Sequence, residues 1–353
     1  MSWSCGIVGL PNAGKSTLFK ALTALDVTIE DYPFSTIDPN RAIVPIPDSR
    51  LTALAEFSKA EKITPATIEV IDVAGLVKGA SRGEGLGNQF LGHLRNCDLL
   101  IHVLDGFKDG LTTGDDLLSR YETINIELSL ADLESVTRRL QKLEPQLRLG
   151  EKAAKTELDI LKRAEECLSK GLPLRSLDLT SQEKEVLGEL PLLTLKEVVC
   201  VYNLSENSLD DPDLSSFPND SVVIPLCASL EAELSELPEG DRESFLNIYG
   251  LRNSKTLELL KECYRLLGLI TFYTIKGNEA RAWVVPRNIR AVEAAGKIHS
   301  DMEQGFINAE VIQWNSLLDA GGLAGVREKG LSRIEGRDYP VQDGEVVFVR
   351  FRN

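Results

Sequence analysis

Histidine is nearly absent. Only His93, His102 and His299 occur in 353 residues, too few and too scattered for a zinc site or a histidine-centred catalytic triad. None of the six cysteines (Cys5, Cys97, Cys167, Cys200, Cys227 and Cys263) lies in a C-x-x-C pair, so reduced, mostly buried thiols are expected. No apolar run reaches the ~18 residues of a membrane span, and Met1 is not followed by a basic and then apolar leader. A soluble, cytoplasmic protein with no membrane partner is expected. Basic charge is short as well: 39 Lys and Arg face 54 Asp and Glu, a net charge of −15. That argues against a uniformly basic nucleic-acid surface and against DNA as a partner. The deficit lies in the first part of the chain, because residues 268–353 carry 11 charges of each sign. Pro, Gly and Ser form no long tract and no repeat has a fixed period, so the length fits two or three packed modules.

What is present is an alternation of short apolar runs with helical patterns. Trp3–Val8, Arg41–Ile46, Thr67–Ile71 and Leu99–Leu104 read as strands, with helices at Ser16–Leu25 and Asp48–Ala60. This predicts an α/β sheet with helices on its faces. Two later strands, Glu197–Tyr202 and Ser221–Leu226, read as members of the same sheet, so residues 127–196 are an insertion. There Leu133, Val136, Leu140, Leu143 and Leu147 alternate spacings of three and four, the seam of one helix on another. Ala154, Leu158, Leu161 and Leu168 form the facing stripe, and Gly171 and Pro173 stop it. Together they predict an antiparallel helical hairpin, and Thr180 with Glu183 fits a capping box for a third helix. Residues 269–353 predict a small α+β module: strands at Ile270–Ile275, Arg281–Val285 and Val346–Phe351, and one helix over Ile289–Met302.

The chemistry sits first in Gly9-Leu-Pro-Asn-Ala-Gly14-Lys15-Ser16, a full G-x-x-x-x-G-K-[ST] followed by Thr17. It follows an apolar strand and opens a helix, the setting such a loop needs. Gly9 and Gly14 let the backbone curl, so that the N–H groups of Asn12, Ala13, Gly14, Lys15, Ser16 and Thr17 can face phosphate oxygens. Lys15 supplies charge to the β/γ oxygens, and the Ser16 hydroxyl is a Mg²⁺ ligand. Asp72-Val-Ala-Gly75 ends the strand Ile68–Ile71, with Asp72 set to hold Mg²⁺ through water and Gly75 to offer its N–H to a γ-phosphate. Thr36 is the candidate switch threonine that completes the metal shell.

Three stretches then resemble the Obg-related P-loop NTPases: Gly9–Thr17, Tyr32–Pro39 and Asp72-Val-Ala-Gly-Leu-Val-Lys-Gly-Ala-Ser81. Arg281-Ala-Trp283, Ala294–Asp301, Gly305–Val311 and Asp343–Phe348 narrow the resemblance to the YchF, or Obg-like ATPase, group and its C-terminal TGS module. It covers essentially the whole chain. It implies a P-loop G-domain at 1–126 and 197–268, a coiled-coil hairpin at 127–196, and an α+β, ubiquitin-like TGS domain at 269–353. It further implies a Mg²⁺-dependent nucleoside triphosphatase that associates with the ribosome at its large subunit. A monomer is the default.

Base choice departs from ordinary GTPases. Where those carry N-K-x-D, this chain has Asn203-Leu204-Ser205-Glu206, with Ala228 and Ser229 in the following loop. Adenine has no N1–H and no N2 amine, so a guanine-reading carboxylate loses its purpose, and Asn203 and the loop backbone are left to serve N6 and N7. The YchF group is described as preferring ATP, so ATP is the expected nucleotide. A GTP-hydrolysing switch and a nucleotide-dependent, non-catalytic ribosome-binding scaffold remain open. A small-molecule kinase is disfavoured because the insertion is a Leu/Ala seam with no arginine-bearing lid.

Two family features fail to carry over. The position of the water-orienting Gln of Ras-like enzymes is Leu76, and Asp105–Tyr121 contains no histidine, so no general base is assigned. Ser35 stands where some members carry a regulatory cysteine. Asn12 is a candidate K⁺ ligand beside the β/γ bridge.

Overall fold

The computed structural model describes residues 3–24, 40–73, 86–106, 114–148, 152–209, 212–215, 217–218 and 221–352. The readings of Ser35, Thr36, Gly75 and Leu76 lie outside the described residues. Two compact units are present, one containing residues 69–259 with the N-terminal strand and helix, the other containing 43–68 and 260–353.

The first unit is built on β1 (Ser4–Val8), α1 (Lys15–Thr23), β2 (Arg41–Ile46), α2 (Ser49–Ser58), β3 (Lys62–Thr64), β4 (Ala66–Asp72), α3 (Leu86–Arg95) and β5 (Leu99–Asp105), of which α2 and β3 belong to the second unit. It continues through α4 (Gly114–Arg148), α5 (Lys152–Ser169), α6 (Ser181–Gly188), β6 (Glu197–Asn203), β7 (Val222–Leu226), α7 (Ala228–Glu236) and α8 (Glu239–Ile248), and the chain passes into the second unit within α9 (Lys255–Leu266). The sheet order is β2-β4-β1-β5-β6-β7, and the pairs β1–β4, β1–β5, β5–β6 and β6–β7 are all parallel. β1 and β5 are buried along their whole length, as strands covered on both faces must be. Each fully buried Leu or Ile there contributes about 1.5–3 kcal/mol. In such a sheet the carboxyl ends of the strands form the ligand crevice, and here Val8, Asp72, Asp105, Asn203 and Leu226 end their strands on that side.

The insertion differs from the expected start at residue 127. α4 is one helix from Gly114, because Leu117, Ile124, Leu128 and Ala131 extend its apolar stripe over the sheet before Val136 and Leu143 turn to α5. Ala154, Leu161 and Leu168 of α5 are buried in that seam, and Leu133, Leu140 and Leu158 are partly buried beside it. Asp132 fastens the return of the chain: its carboxylate accepts from Leu193 N at 2.9 Å, and from Thr194 N and Oγ1 at 2.7 Å. Both bonds of the capping box form at α6, between Glu183 N and Thr180 Oγ1 (3.3 Å) and between Thr180 N and Glu183 Oε2 (2.8 Å).

The second unit holds β8 (Leu269–Lys276), β9 (Glu279–Pro286), α10 (Ala291–Ile298), α11 (Ser300–Gln304), β10 (Phe306–Gln313), α12 (Trp314–Asp319), α13 (Leu323–Glu328), β11 (Arg333–Glu335) and β12 (Glu345–Phe351). Its sheet runs β11-β10-β12-β8-β9-β3. The last strand comes from far upstream: Lys62, Ile63 and Thr64 pair in parallel with Glu279, Ala280 and Arg281. α2 joins the same core, its Leu51, Leu54 and Ala55 packing with Tyr273, Ala280, Ala282 and Val346. This differs from a module confined to 269–353. Asp48 makes the local order: it caps α2 through Arg50 N (3.0 Å), pairs with the Arg50 guanidinium, and accepts from the Tyr273 hydroxyl, while Arg50 Nη1 reaches Asp343 at 2.6 Å. On the other face, Ala291, Ala294 and Ala295 of α10 let that helix lie close on Phe272, Val285, Val311 and Val347. The expected helix over 289–302 is broken at His299, whose φ of −163° ends α10 and whose Nδ1 accepts from Asp301 N (3.2 Å) to start α11.

Candidate nucleotide-phosphate site

The loop between β1 and α1 is shaped by backbone sterics. A Cβ on Gly9 would lie 2.4 Å from Val103 O of β5, so only glycine lets the strands approach there. Gly14 caps α1 at φ 93°, and Asn12 is also left-handed at φ 63°. Ala13 N donates to Leu10 O at 3.3 Å, closing the turn. The first N–H groups of α1 are thereby aimed out of the helix start, where an anion is favoured.

Lys15 is only 7% exposed and lies inside this loop, where its Nζ donates to Gly9 O (3.1 Å) and Leu10 O (2.8 Å). Burial lowers the pKa of its ammonium, with Asp72 and then Asp105 pulling the other way. One residue on, Ser16 Oγ donates to Asp72 Oδ2 at 2.8 Å. Asp72 is 8% exposed, and its other oxygen, Oδ1, is buried with no hydrogen-bond partner. A buried carboxylate oxygen left alone costs about 1–3 kcal/mol or more. A hard divalent cation with its water shell is the chemistry that hydroxyl-plus-carboxylate donor set fits. Thr17 and Asn12 are exposed at the loop.

The base-reading stretch is partly a strut. Asn203 is 5% exposed and both ends of its amide are used: Nδ2 donates to Ala13 O at 2.9 Å, and Oδ1 accepts from Ala228 N at 2.9 Å. It ties the phosphate loop to the start of α7. Leu204 is buried in the cluster with Leu104, Leu117, Tyr202 and Phe217, its N–H on Leu226 O (2.8 Å). Glu206 and Ser229 are exposed, and Ser229 Oγ lies 3.1 Å from Cys227 Sγ.

Asp105 was not anticipated. It ends β5 in register with Asn203, is 4% exposed, and pairs with Arg120 of α4 at 3.1 Å. The available signal was an acid closing a fully apolar strand next to the site. His102, on the same strand, is 2% exposed and stacks on Tyr121 at 5.5 Å. Burial, then the Arg175 guanidinium and the Lys15 ammonium, push its imidazole down to about 3.

Known proteins resemble the chain in sequence and in fold. A family described as "50S ribosome-binding GTPase" matches residues 4–135, and the family YchF-GTPase_C, described as a protein of unknown function, matches 269–352. The chain is 41% identical to "Ribosome-binding ATPase YchF" of Bacillus subtilis (strain 168) over 365 residues, 99% of this chain and 100% of that protein. The chain belongs to the YchF family. Its YchF relative from Haemophilus ducreyi is 42% identical, with 99% of each chain covered. The solved structure of the Schizosaccharomyces pombe YchF GTPase superposes with a TM-score of 0.88 at 31% identity, covering 99% of this chain and 98% of that one. The family resemblance read from Gly9–Thr17 and Asp72–Ser81 and the α/β P-loop architecture therefore both hold. The names of these YchF relatives divide between ATPase and GTPase.

Proposed function

We propose that the chain is a Mg²⁺-dependent ATPase that works as a nucleotide-dependent switch on the ribosome. The observation that carries this reading is the Ser16–Asp72 bond with the second Asp72 oxygen buried and unpartnered. Ser16 and Asp72 would hold Mg²⁺, Asp72 through water, with Thr36 completing the shell. Bound there, the ion supplies the positive charge that neutralises phosphate oxygens as the terminal phosphoryl group departs. Lys15 exchanges the Gly9 and Leu10 carbonyls for β/γ oxygens, and Gly75 donates its N–H to the γ-phosphate. No side chain is assigned as general base.

Adenine is supported by Leu204 and Glu206 standing where a guanine reader carries Lys and Asp. GTP is the second reading, favoured by the GTPase naming of the S. pombe relative. Ribosome binding is supported by the names of the curated relatives, and the large subunit by the "50S" family description. A cytoplasmic monomer is the matching state; among the described residues no helix is long and apolar enough to cross a membrane. Asn12, exposed and left-handed at the loop, is proposed as a K⁺ ligand.

Phosphate release from ATP by the purified chain tests the enzyme, with chelator and Lys15→Ala as controls. Both treatments are expected to abolish turnover, and unchanged turnover in Lys15→Ala rejects the assignment. Equal turnover in Na⁺ and K⁺ buffers rejects the K⁺ site alone. Co-sedimentation with 50S subunits tests the partner.

A further inference from the structure

We propose that Arg120 is a positioning residue for nucleotide binding, which by pairing with Asp105 cancels a carboxylate charge set against the phosphates. The inference rests on the nucleotide-binding reading and adds a residue to that same site. Backbone pairing fixes Asp105 beside the phosphate loop. β5 runs parallel to β1 with Val8 against His102, and Val103 O lies 2.4 Å from where a Cβ on Gly9 would stand. Two residues on, Asp105 stands opposite Asn203, whose amide holds Ala13 O of the loop. Gly106 N donates to Asn203 O at 2.7 Å, which pins the end of β5 there. The Asp105 side chain is 6% exposed, and its charge acts on Lys15.

A buried carboxylate at this place is a liability. With nucleotide bound, Asp72 has its cation and Lys15 has the β/γ oxygens. Asp105 then sets a negative charge against an anionic ligand in a site shielded from water, where charges act more strongly than in solvent. Arg120 answers that charge from α4: its Nη1 lies 3.1 Å from Asp105 Oδ1 and also donates to Asp105 O. A guanidinium keeps its proton, so the cancellation does not depend on pH. Anchorage of α4 alone does not call for the pair, because Leu117, Ile124 and Leu128 already pack that helix onto the sheet.

Equilibrium titration of a fluorescent ATP analogue with Mg²⁺ onto the full-length chain tests the charge. Arg120→Gln is expected to weaken binding about tenfold, and Asp105→Asn to tighten it about threefold. The double variant is expected to return to within about threefold of the unsubstituted chain. Arg120→Lys keeps the charge without the guanidinium fork and is likewise expected to bind within about threefold. A purely structural anchor gives the opposite pattern: Asp105→Asn and Arg120→Lys both weaken binding, and the double variant binds no better than Arg120→Gln. That pattern, or unchanged binding in Arg120→Gln, overturns the proposal. Should Arg120→Gln fail to fold, the signs for Asp105→Asn and Arg120→Lys decide it. Failure of the unsubstituted chain to bind the analogue rejects the nucleotide reading itself, and the proposal falls with it.

Discussion

Ser16 and Asp72, 56 residues apart in sequence, are joined by a 2.8 Å hydrogen bond from hydroxyl to carboxylate. That bond brings the start of α1 and the end of β4 to one point, and it leaves a buried oxygen for a cation to satisfy. Asp72→Asn keeps the shape and removes the charge. It is expected to lower Mg²⁺-dependent nucleotide affinity or turnover about 10–100-fold. Isothermal titration in Mg²⁺ and in chelator reads the change, and an unaltered Mg²⁺ dependence contradicts it.

Asn203 is expected to behave as a strut more than as a base reader. Asn203→Ala strands Ala13 O and Ala228 N, at about 1–3 kcal/mol for each buried group. Denaturant unfolding should show that loss, and ATP and GTP analogues should weaken by similar factors. A selective loss of ATP binding with stability intact would mean that the amide reads N6 or N7 directly.

Stability should depend on His102 in a defined window. Its folded pKa is depressed to about 3, so below the unfolded value of about 6.5 the unfolded chain binds a proton that the folded chain refuses. Stability is therefore full above pH ~6.5 and falls as pH drops towards ~3. His102→Phe should flatten the pH 4–6 part of the unfolding curve while keeping the stacking on Tyr121. An identical slope in the variant contradicts the assignment.

Asp48 adds a second, lower window. Burial pushes its carboxyl up, but hydrogen bonds from Arg50 and Tyr273 outweigh that and hold it below the usual range. Its contribution is present above the unfolded carboxylate value near ~4 and is lost as pH falls through the folded value. Tyr273→Phe should destabilise the chain by about 1–3 kcal/mol at neutral pH. It should also raise hydrogen exchange in residues 49–58, which the Asp48 cap begins. Exchange confined to β8 would show that α2 does not depend on this network.

The phosphate loop was legible because its residue types are dictated by backbone geometry: Gly9 faces Val103 O and Gly14 takes φ 93°. Asp72 was legible because an acid ending an apolar strand after such a loop has few other uses. The placement of 43–68 was not. Lys62–Thr64 is three residues long, and its partners begin at Glu279, more than two hundred positions on. No local periodicity records a pairing that distant. The full extent of α4 was missed because its stripe serves two cores in succession, first the sheet and then α5. Asn203 is recognisable in sequence as a motif residue, but its two backbone bonds depend on Ala13 and Ala228 meeting in space.

The most direct test of the central claim is competitive titration of fluorescent ATP and GTP analogues onto the purified chain with Mg²⁺, each displaced by the other unlabelled nucleotide. Preference for ATP of tenfold or more, about 1.4 kcal/mol, is the expected result. Preference for GTP would mean that Glu206 still satisfies guanine, and the chain would then be a GTPase built on the same loop.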